Sequence, residues 1–201
     1  MIIVETKRLI LRTWQLEDIA EMTKINQDPQ VMRYFPKLGD RDTTAWFIGR
    51  LEQHHLDHGY SLYAVVLKQT NQMIGFVGLL NVNFQASFTP AIEIGWRLAA
   101  KYWGNGYAPE AANAMLDIAF NQFGLEKIVS FTVKDNLNSR RVMQKIGMKY
   151  DSKNDFNHPM VDSKSALARH VLYQISRDDY LLQHDKKHSH NDRNSSPKNK
   201  T

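Results

Sequence analysis

The segment Lys101-Tyr-Trp-Gly-Asn-Gly-Tyr-Ala108 most constrains what this chain can fold into. A strand-like run at 91–98 leads into it, and a strongly patterned helix follows it. Gly104 and Gly106 allow the backbone to adopt a positive φ and to come close to a bound group. The first N–H groups of the helix lack partners within the helix and attract anions. The segment therefore indicates a phosphate or pyrophosphate site, although two glycines alone are also typical of an ordinary strand-to-helix turn.

The helix after this turn is predicted from its apolar spacing. Apolar side chains recur at three- and four-residue intervals from Ala108 to Phe123, which is the pattern of an amphipathic helix of about four turns. Pro109 and Glu110 both suit a first helical turn. Gly124 is a typical helix stop. The apolar face is expected to pack in the core, which leaves the N-terminal end of the helix for function.

Composition bounds the class of protein. The 201 residues suffice for one domain, and they contain no cysteine and no apolar run long enough to span a membrane. The start of the chain lacks the pattern of a signal peptide, so a cytoplasmic location is expected. The net charge is +5, but the segment 184–201 carries five Lys or Arg residues against two Asp residues. We therefore expect a domain over 1–183, a disordered basic tail over 184–201, no direct nucleic-acid binding and no metal.

The pattern along the chain predicts a mixed sheet. The expected elements are strands at 8–12, 61–67, 73–80, 91–98, 127–134, 148–151 and 166–176, and helices at 16–26, 42–56, 108–123 and 138–146. The stretch 153–163 is polar and is predicted to be a loop. This order does not alternate regularly enough for a doubly wound parallel sheet. It favours an antiparallel first half followed by a parallel crossover through the long helix.

Three motifs together resemble the GNAT superfamily of N-acetyltransferases. The first is Ile92-Glu-Ile-Gly-Trp96 followed by Trp103-Gly-Asn-Gly-Tyr-Ala-Pro-Glu-Ala111, and the second is Asn136-Leu-Asn-Ser-Arg-Arg-Val-Met-Gln-Lys-Ile-Gly-Met148. The third, Thr6–Arg12 with Asp28–Tyr34, is similar to the branch that acetylates the N-termini of ribosomal proteins, on serine or alanine. The resemblance covers roughly residues 5–176.

The resemblance implies an α/β fold of the α+β type. Its sheet would be mixed and mostly antiparallel, with six to seven strands, splayed at its centre and flanked by about four helices. Pantetheine would pair with the open edge of the strand that holds Glu93, as an added strand does. The cosubstrate would be acetyl-CoA. The residues expected to bind it are Ile94, Trp96, Lys101, Trp103, Gly104, Asn105, Gly106, Tyr107, Ala108, Asn136, Arg140 and Arg141.

Glu93 is the candidate general base. It alternates with Ile92 and Ile94, so it points to the opposite face of the strand from them. Partial desolvation there would raise its pKa toward a useful value. A base helps because the attacking amine must be neutral, and it helps most when the pKa of the acceptor is high. Glu93 could instead pair with Arg97 or bind a backbone group.

Ser139 is the candidate general acid for the leaving thiolate. Many members of the resembling family use a Tyr on the last short helix, and Met143 stands at that place here. Ser139 could equally serve as a helix N-cap, and the two roles can coexist. Asn136 could bind the acceptor or a pantetheine amide, or act as a turn residue. The resemblance also implies that a backbone N–H, from Ile94 or a neighbour, stabilises the oxyanion.

The sequence therefore predicts an acetyl-CoA-dependent N-acetyltransferase in which a primary amine attacks the thioester directly. The first expected acceptor is a peptide or protein N-terminal α-amine, by analogy with the ribosomal-protein branch. A small-molecule amine, such as an antibiotic or a polyamine, is the alternative acceptor. A non-catalytic acyl-CoA-binding module is the alternative of a different class. The expected partners are an acyl-CoA and the amine, with no membrane, and the chain is expected to be a monomer or homodimer.

Overall fold

The first half of the chain forms an antiparallel sheet. In the computed structural model, which describes residues 1–183, its strands are β1 (Ile2–Glu5), β2 (Leu9–Arg12), β3 (Leu62–Leu67), β4 (Gln72–Asn81) and β5 (Ile92–Leu98). Each strand pairs with the next in antiparallel register. β3 is buried along its whole length, as expected of a central strand that is apolar on both faces.

The second half continues the same sheet after a crossover. The long helix α3 (Tyr107–Asn121) connects β5 to β6 (Lys127–Val133), and these two strands are parallel. The short strands β7 (Lys149–Tyr150) and β8 (Phe156–Asn157) both pair with β9 (Arg169–Ser176), which is antiparallel to β6. The strand order is β1-β2-β3-β4-β5-β6-β9-β7, with β8 also beside β9.

Helices cover both faces of the sheet. Helices α1 (Asp18–Gln27) and α2 (Arg41–His58) lie on one face, whereas α3 and α4 (Leu137–Lys145) lie on the other, and a fifth helix, α5, is described over 177–183. A capping box of Asp40 and Thr43 starts α2. The sheet thus separates an α1–α2 face from an α3 face, each with its own apolar core.

The predicted fold class is confirmed: the sheet is mixed, mostly antiparallel and open at its centre. It has nine strands rather than six or seven, because β1, β7 and β8 are short strands that the apolar pattern does not reveal. The prediction that 153–163 is only a loop was wrong, since β8 lies within it. The division into a domain 1–183 and a tail stays a prediction, and the tail lies outside the described residues.

None of the helices in residues 1–183 combines the length and hydrophobicity that crossing a bilayer requires. The same residues contain no cluster of three or more His, Asp or Glu side chains that could hold a metal ion.

Candidate active site

The sheet opens between β5 and β6. These strands pair only at Ile92 with Ile128 and at Glu93 with Val129. Just beyond, the Ser130 hydroxyl donates to the carbonyl oxygen of Ile94 at 2.8 Å, so the backbone of Ile94 faces β6. Because backbone direction alternates along a strand, Trp96 also turns its N–H and C=O toward the opening. The opening forms part of a cavity of about 930 Å³.

The glycine turn lies at one end of this cavity. Gly104 and Gly106 both have φ of 79°, which a residue with a side chain rarely adopts, and Gly106 is the N-cap of α3. Within residues 1–183, the N–H groups of residues 104–108 donate to no protein acceptor. We call these five amides the amide cradle. They combine with the positive end of a 15-residue helix, and this is an arrangement that binds phosphate groups.

Residues from the start of the chain brace the amide cradle. The carboxylate of Glu110, in the first turn of α3, accepts hydrogen bonds from the Thr6 hydroxyl at 2.6 Å and from the Arg8 N–H at 2.9 Å, and it pairs with Arg8 Nε at 2.6 Å. Arg8 also donates to the carbonyl oxygen of Asn105 at 2.9 Å. Burial opposes ionisation of Glu110, but these hydrogen bonds outweigh it and lower its pKa. The brace fixes the turn and places a guanidinium beside the amide cradle.

Glu93 lies in the cavity on the α1–α2 face of β5. Its Oε1 lies close to Gly95, and within the described residues its carboxylate forms no hydrogen bond and no ion pair. The possibility that Glu93 pairs with Arg97 is therefore not observed. The carboxyl group touches the cavity but is otherwise enclosed by protein, and this burial raises its pKa to about 8.

The start of α4 forms another part of the cavity lining. Asn136 is the N-cap, and its side chain accepts from the Ser139 N–H at 3.3 Å. Its Nδ2 donates to the Ser139 hydroxyl at 3.1 Å and to the Thr132 hydroxyl at 3.0 Å. Ser139 is thus not the N-cap, and its own hydroxyl proton has no acceptor within residues 1–183. No tyrosine lies on α4, and Met143 is buried against the cavity.

A family model described as an acetyltransferase (GNAT) domain matches residues 8–149. The Bacillus subtilis protein YkkB is 35% identical over 146 residues, which are 72% of this chain and 84% of that protein. The B. subtilis N-acetyltransferase YnaD is 30% identical over 148 residues, or 73% of this chain and 82% of YnaD. The chain belongs to the GNAT acetyltransferase family.

Solved structures agree with this assignment. A GNAT-family acetyltransferase from Bacillus anthracis superposes with a TM-score of 0.71 at 25% identity, over 87% of this chain and 98% of that one. Two more distant structures share the fold. They are a spermidine N-acetyltransferase from Vibrio cholerae in complex with CoA and spermine (TM-score 0.68, 18% identity, 88% and 99% covered) and a ribosomal-protein-serine acetyltransferase described as putative from the same species (0.69, 16%, 86% and 96%).

The structure brings together most of the residues that the GNAT motifs single out. The cavity is lined by Glu93, Trp96, Trp103, Gly104, Gly106, Tyr107, Ala108, Asn136, Ser139 and Arg141. Four others lie outside its lining. Ile94 is fully buried, so it could reach a ligand only through its backbone. Lys101 lies over the ring of Tyr102, and the Asn105 side chain donates to the carbonyls of Tyr102 and Trp103.

Arg140 and Arg141 point in different directions from α4. Arg140 donates to the Tyr173 hydroxyl at 3.3 Å and to the Lys134 carbonyl at 3.1 Å, and it lies over the ring of Tyr150. Its hydrogen bond to Tyr173 raises its pKa further. Arg141 lines the cavity instead. Of the two arginines, Arg141 is the one placed to contact an anion there.

Two segments that carry no motif complete the cavity on its other side. Residues 30–36 follow α1, and residues 158–161 follow β8. His158 lies beside His170 with ring centroids 5.0 Å apart, and burial lowers the pKa of both imidazoles. The sequence reasoning considered 30–35 as pocket residues but missed the histidines, since two positions twelve residues apart in a polar stretch give no periodic signal.

Proposed function

We propose that this GNAT acetyltransferase transfers an acetyl group from acetyl-CoA to a primary amine, and that the acceptor is the N-terminal α-amine of a peptide or protein. One observation carries the proposal: an enclosed, unpaired carboxyl group, Glu93, lies in the same cavity as five free backbone amides at a helix N-terminus. The amides suit the phosphates of one substrate, and the carboxyl group suits proton removal from the other.

The cavity fits coenzyme A. The amide cradle would hold the pyrophosphate, with Arg8 and Arg141 as nearby positive charges. The open edge of β5 at Trp96 would hydrogen-bond the pantetheine amides in the manner of an added strand. Acetyl-CoA supplies the acetyl group as a thioester, which an amine can attack without a covalent enzyme intermediate. The extended pantetheine would direct this thioester toward the closed end of the cleft, where Glu93 lies.

Glu93 would accept the proton that the attacking amine loses. A general base is most effective when its pKa lies near the operating pH and near that of the group it deprotonates. The pKa of Glu93, about 8, is close to the ordinary value of about 8 for an α-amine. A side-chain or polyamine nitrogen, with a pKa near 10, would hold its proton about 100-fold more tightly than Glu93 does. This match supports an α-amine acceptor.

The Ser139 hydroxyl would donate a proton to the departing thiolate. Its proton has no protein acceptor in the described residues, and Asn136 Nδ2 already donates to its oxygen, which leaves the hydroxyl free to act as donor. A thiol has an ordinary pKa of about 8.5, so its anion leaves readily near neutral pH. The assistance from Ser139 would therefore be small.

Likeness of fold does not choose between acceptors, because the distant neighbours include both a spermidine and a ribosomal-protein-type acetyltransferase. A polyamine is therefore the second candidate acceptor. The pKa match favours the α-amine, and the charges of the cavity, considered below, disfavour a polycation.

A comparison of acceptors tests the proposal. Release of coenzyme A thiol is measured with acetyl-CoA and three acceptors: a peptide with a free N-terminus, the same peptide with a blocked N-terminus and an internal lysine, and spermidine. We expect turnover with the free N-terminus and an acetyl group on its α-amine by mass spectrometry. Turnover confined to spermidine would instead identify a polyamine enzyme, and release without an acetylated product in any arm would refute amine acetylation.

A further inference from the structure

Arg97 has an unusual position in the cavity. It lies on the same face of β5 as Glu93 and Gly95, because side chains of alternate residues share a face of the strand. Its guanidinium carbon is 4.1 Å from the ring centroid of Phe35 and 5.3 Å from that of Phe76. The two rings hold the planar cation in place while it contributes to the cavity lining.

No protein anion neutralises Arg97. Within residues 1–183 its guanidinium makes one hydrogen bond, from Nη1 to Asn26 Oδ1 at 2.7 Å, and its Nε is buried without a partner. None of the ion pairs in the described part of the chain includes it. Burial without a counter-charge lowers its pKa to about 10, so it remains a cation at neutral pH. An unpaired buried charge is costly to the fold, and a bound anion would remove that cost.

The whole cavity lining has the same sign of charge. Its basic residues are Arg33, Arg97, Arg141 and Lys145, and its sole carboxylate is Glu93. Arg141 and Lys145 lie on α4, whereas Arg33 and Arg97 lie on the α1–α2 face beside Glu93. A polycationic acceptor would meet at least two positive charges there and no acidic group other than Glu93.

The anion that Arg97 suits is not the pyrophosphate of the proposed cosubstrate. The amide cradle leads into α3, whose first residues, Tyr107 and Ala108, pack against the core on the α3 face. Arg97 instead contacts Asn26 of α1 and Phe76, which belong to the α1–α2 face. The sheet therefore lies between the two positively charged groups.

We propose that the acceptor amine carries a carboxylate that Arg97 binds while the amine lies beside Glu93. This inference rests on the proposed acetyl transfer to an amine. Glu93 and Arg97 are four residues apart, which is roughly 13 Å along a strand. A free amino acid, whose amine and carboxylate share one carbon, does not span this distance. An acidic side chain within the first few residues of an extended peptide does.

Matched peptides test the inference. Three peptides share one sequence and a free N-terminus, and differ in carrying Asp, Asn or Lys at a single position, which is moved from residue 2 to residue 5. We expect the wild-type enzyme to favour the Asp peptide over the Asn peptide by about 10- to 100-fold in kcat/KM at its best position, since charge-assisted hydrogen bonds contribute this much. The Lys peptide should be the poorest substrate.

Substitution of Arg97 should remove this preference. In Arg97→Gln we expect the Asp-to-Asn ratio to fall to about 1, mainly through KM for the Asp peptide. The matched control is Arg177→Gln, which alters the other described arginine with a buried, unpartnered Nε but lies outside the cavity, and it should keep the ratio. If Arg97→Gln does not fold, Arg97→Lys keeps the charge without the planar fork and should show a reduced ratio.

Three outcomes overturn the inference, and they are distinguishable. A wild-type enzyme that acetylates the Asn peptide as well as the Asp peptide has no carboxylate site, although its proposed function stands. An Arg97 variant that keeps the ratio but binds coenzyme A more weakly by calorimetry assigns Arg97 to the cosubstrate. A wild-type enzyme that acetylates no amine in any arm refutes the proposed function itself.

Discussion

The two sides of the cleft are built from different parts of the chain's chemistry. The cofactor wall consists of the open edge of β5 and the amide cradle, and it presents backbone groups that two glycines and a helix N-terminus hold in place. The acceptor wall consists of residues 30–36 and 158–161 with Glu93 and Arg97, and it presents side chains. A backbone surface can bind any acyl-CoA, whereas a side-chain surface selects one class of amine. The difference indicates that the acceptor can vary while the cofactor wall stays the same.

The largest expected effect comes from Glu93, on the acceptor wall. Glu93→Gln should lower kcat/KM for a peptide acceptor by about 10²- to 10⁴-fold while coenzyme A affinity changes little, because a general base contributes about this much. The wild-type rate should rise with pH up to about 8, as Glu93 loses its proton, and the variant should lack that inflection.

Arg33, Arg97, His158 and His170 share this cavity, so the profile is compared at constant ionic strength. A loss of rate that is equal at every pH would assign Glu93 to acceptor positioning rather than to proton transfer.

The same substitution should stabilise the fold. Burial raises the pKa of Glu93 above that of the unfolded chain, so the folded protein binds the extra proton and its free energy of unfolding falls as pH rises from about 4.5 to about 8. At pH 7 Glu93→Gln should be more stable by about 3 kcal/mol, and below about pH 4.5 the difference should vanish.

Urea unfolding of both proteins at pH 4.5 and pH 7 measures this difference. Equal stability at pH 7 would show that Glu93 ionises as easily in the fold as in water, and the case for an elevated pKa would be lost.

On the cofactor wall, Gly106→Val should weaken coenzyme A binding by about 10-fold or more. A side chain with β-branching at φ of 79° costs about 1–2 kcal/mol, and relief of that strain would turn amides out of the cradle. Calorimetry with coenzyme A measures the change.

The control is Gly49→Val, at a helical glycine of α2 with no positive φ and open space around it, which should bind coenzyme A as the wild type does. Equal affinity in Gly106→Val would mean that the amide cradle does not hold the phosphates.

The smallest expected effect belongs to Ser139. Ser139→Ala should lower kcat by only about 2- to 5-fold, because a thiolate with a conjugate-acid pKa near 8.5 needs little help to leave. The N-cap of α4 should survive, since Asn136 caps through the Ser139 N–H rather than its hydroxyl. Ser139→Thr, which keeps a hydroxyl, should recover the rate. A loss of 100-fold or more would promote Ser139 to an essential acid.

The sequence predicted the cofactor wall better than the acceptor wall for a physical reason. A backbone site needs residues that permit special φ values and a helix start, so Gly104, Gly106 and the apolar period of α3 identify it from one short segment. The direction of Glu93 followed from strand alternation alone. Strand register was not predictable in the same way, because β1, β7 and β8 are too short to show a period.

The acceptor wall depends on contacts between distant segments. Arg97 was considered only as a partner of Glu93, because the sequence cannot show that Phe35 and Asn26 fold over it. Arg8 lies in a motif of the resemblance, yet its contact with Glu110 spans 102 positions and has no local signal. Arg140 and Arg141 are adjacent in sequence, and only the orientation of α4 distinguishes their surroundings.

The most direct test of the account is a crystal structure of the chain grown with coenzyme A. We expect pyrophosphate oxygens within about 2.7–3.2 Å of amide nitrogens in 104–108, pantetheine paired with the backbone of Trp96, and the sulfur atom at the end of the cleft that holds Glu93. A ligand bound elsewhere, or one whose sulfur lies away from Glu93, would contradict the account.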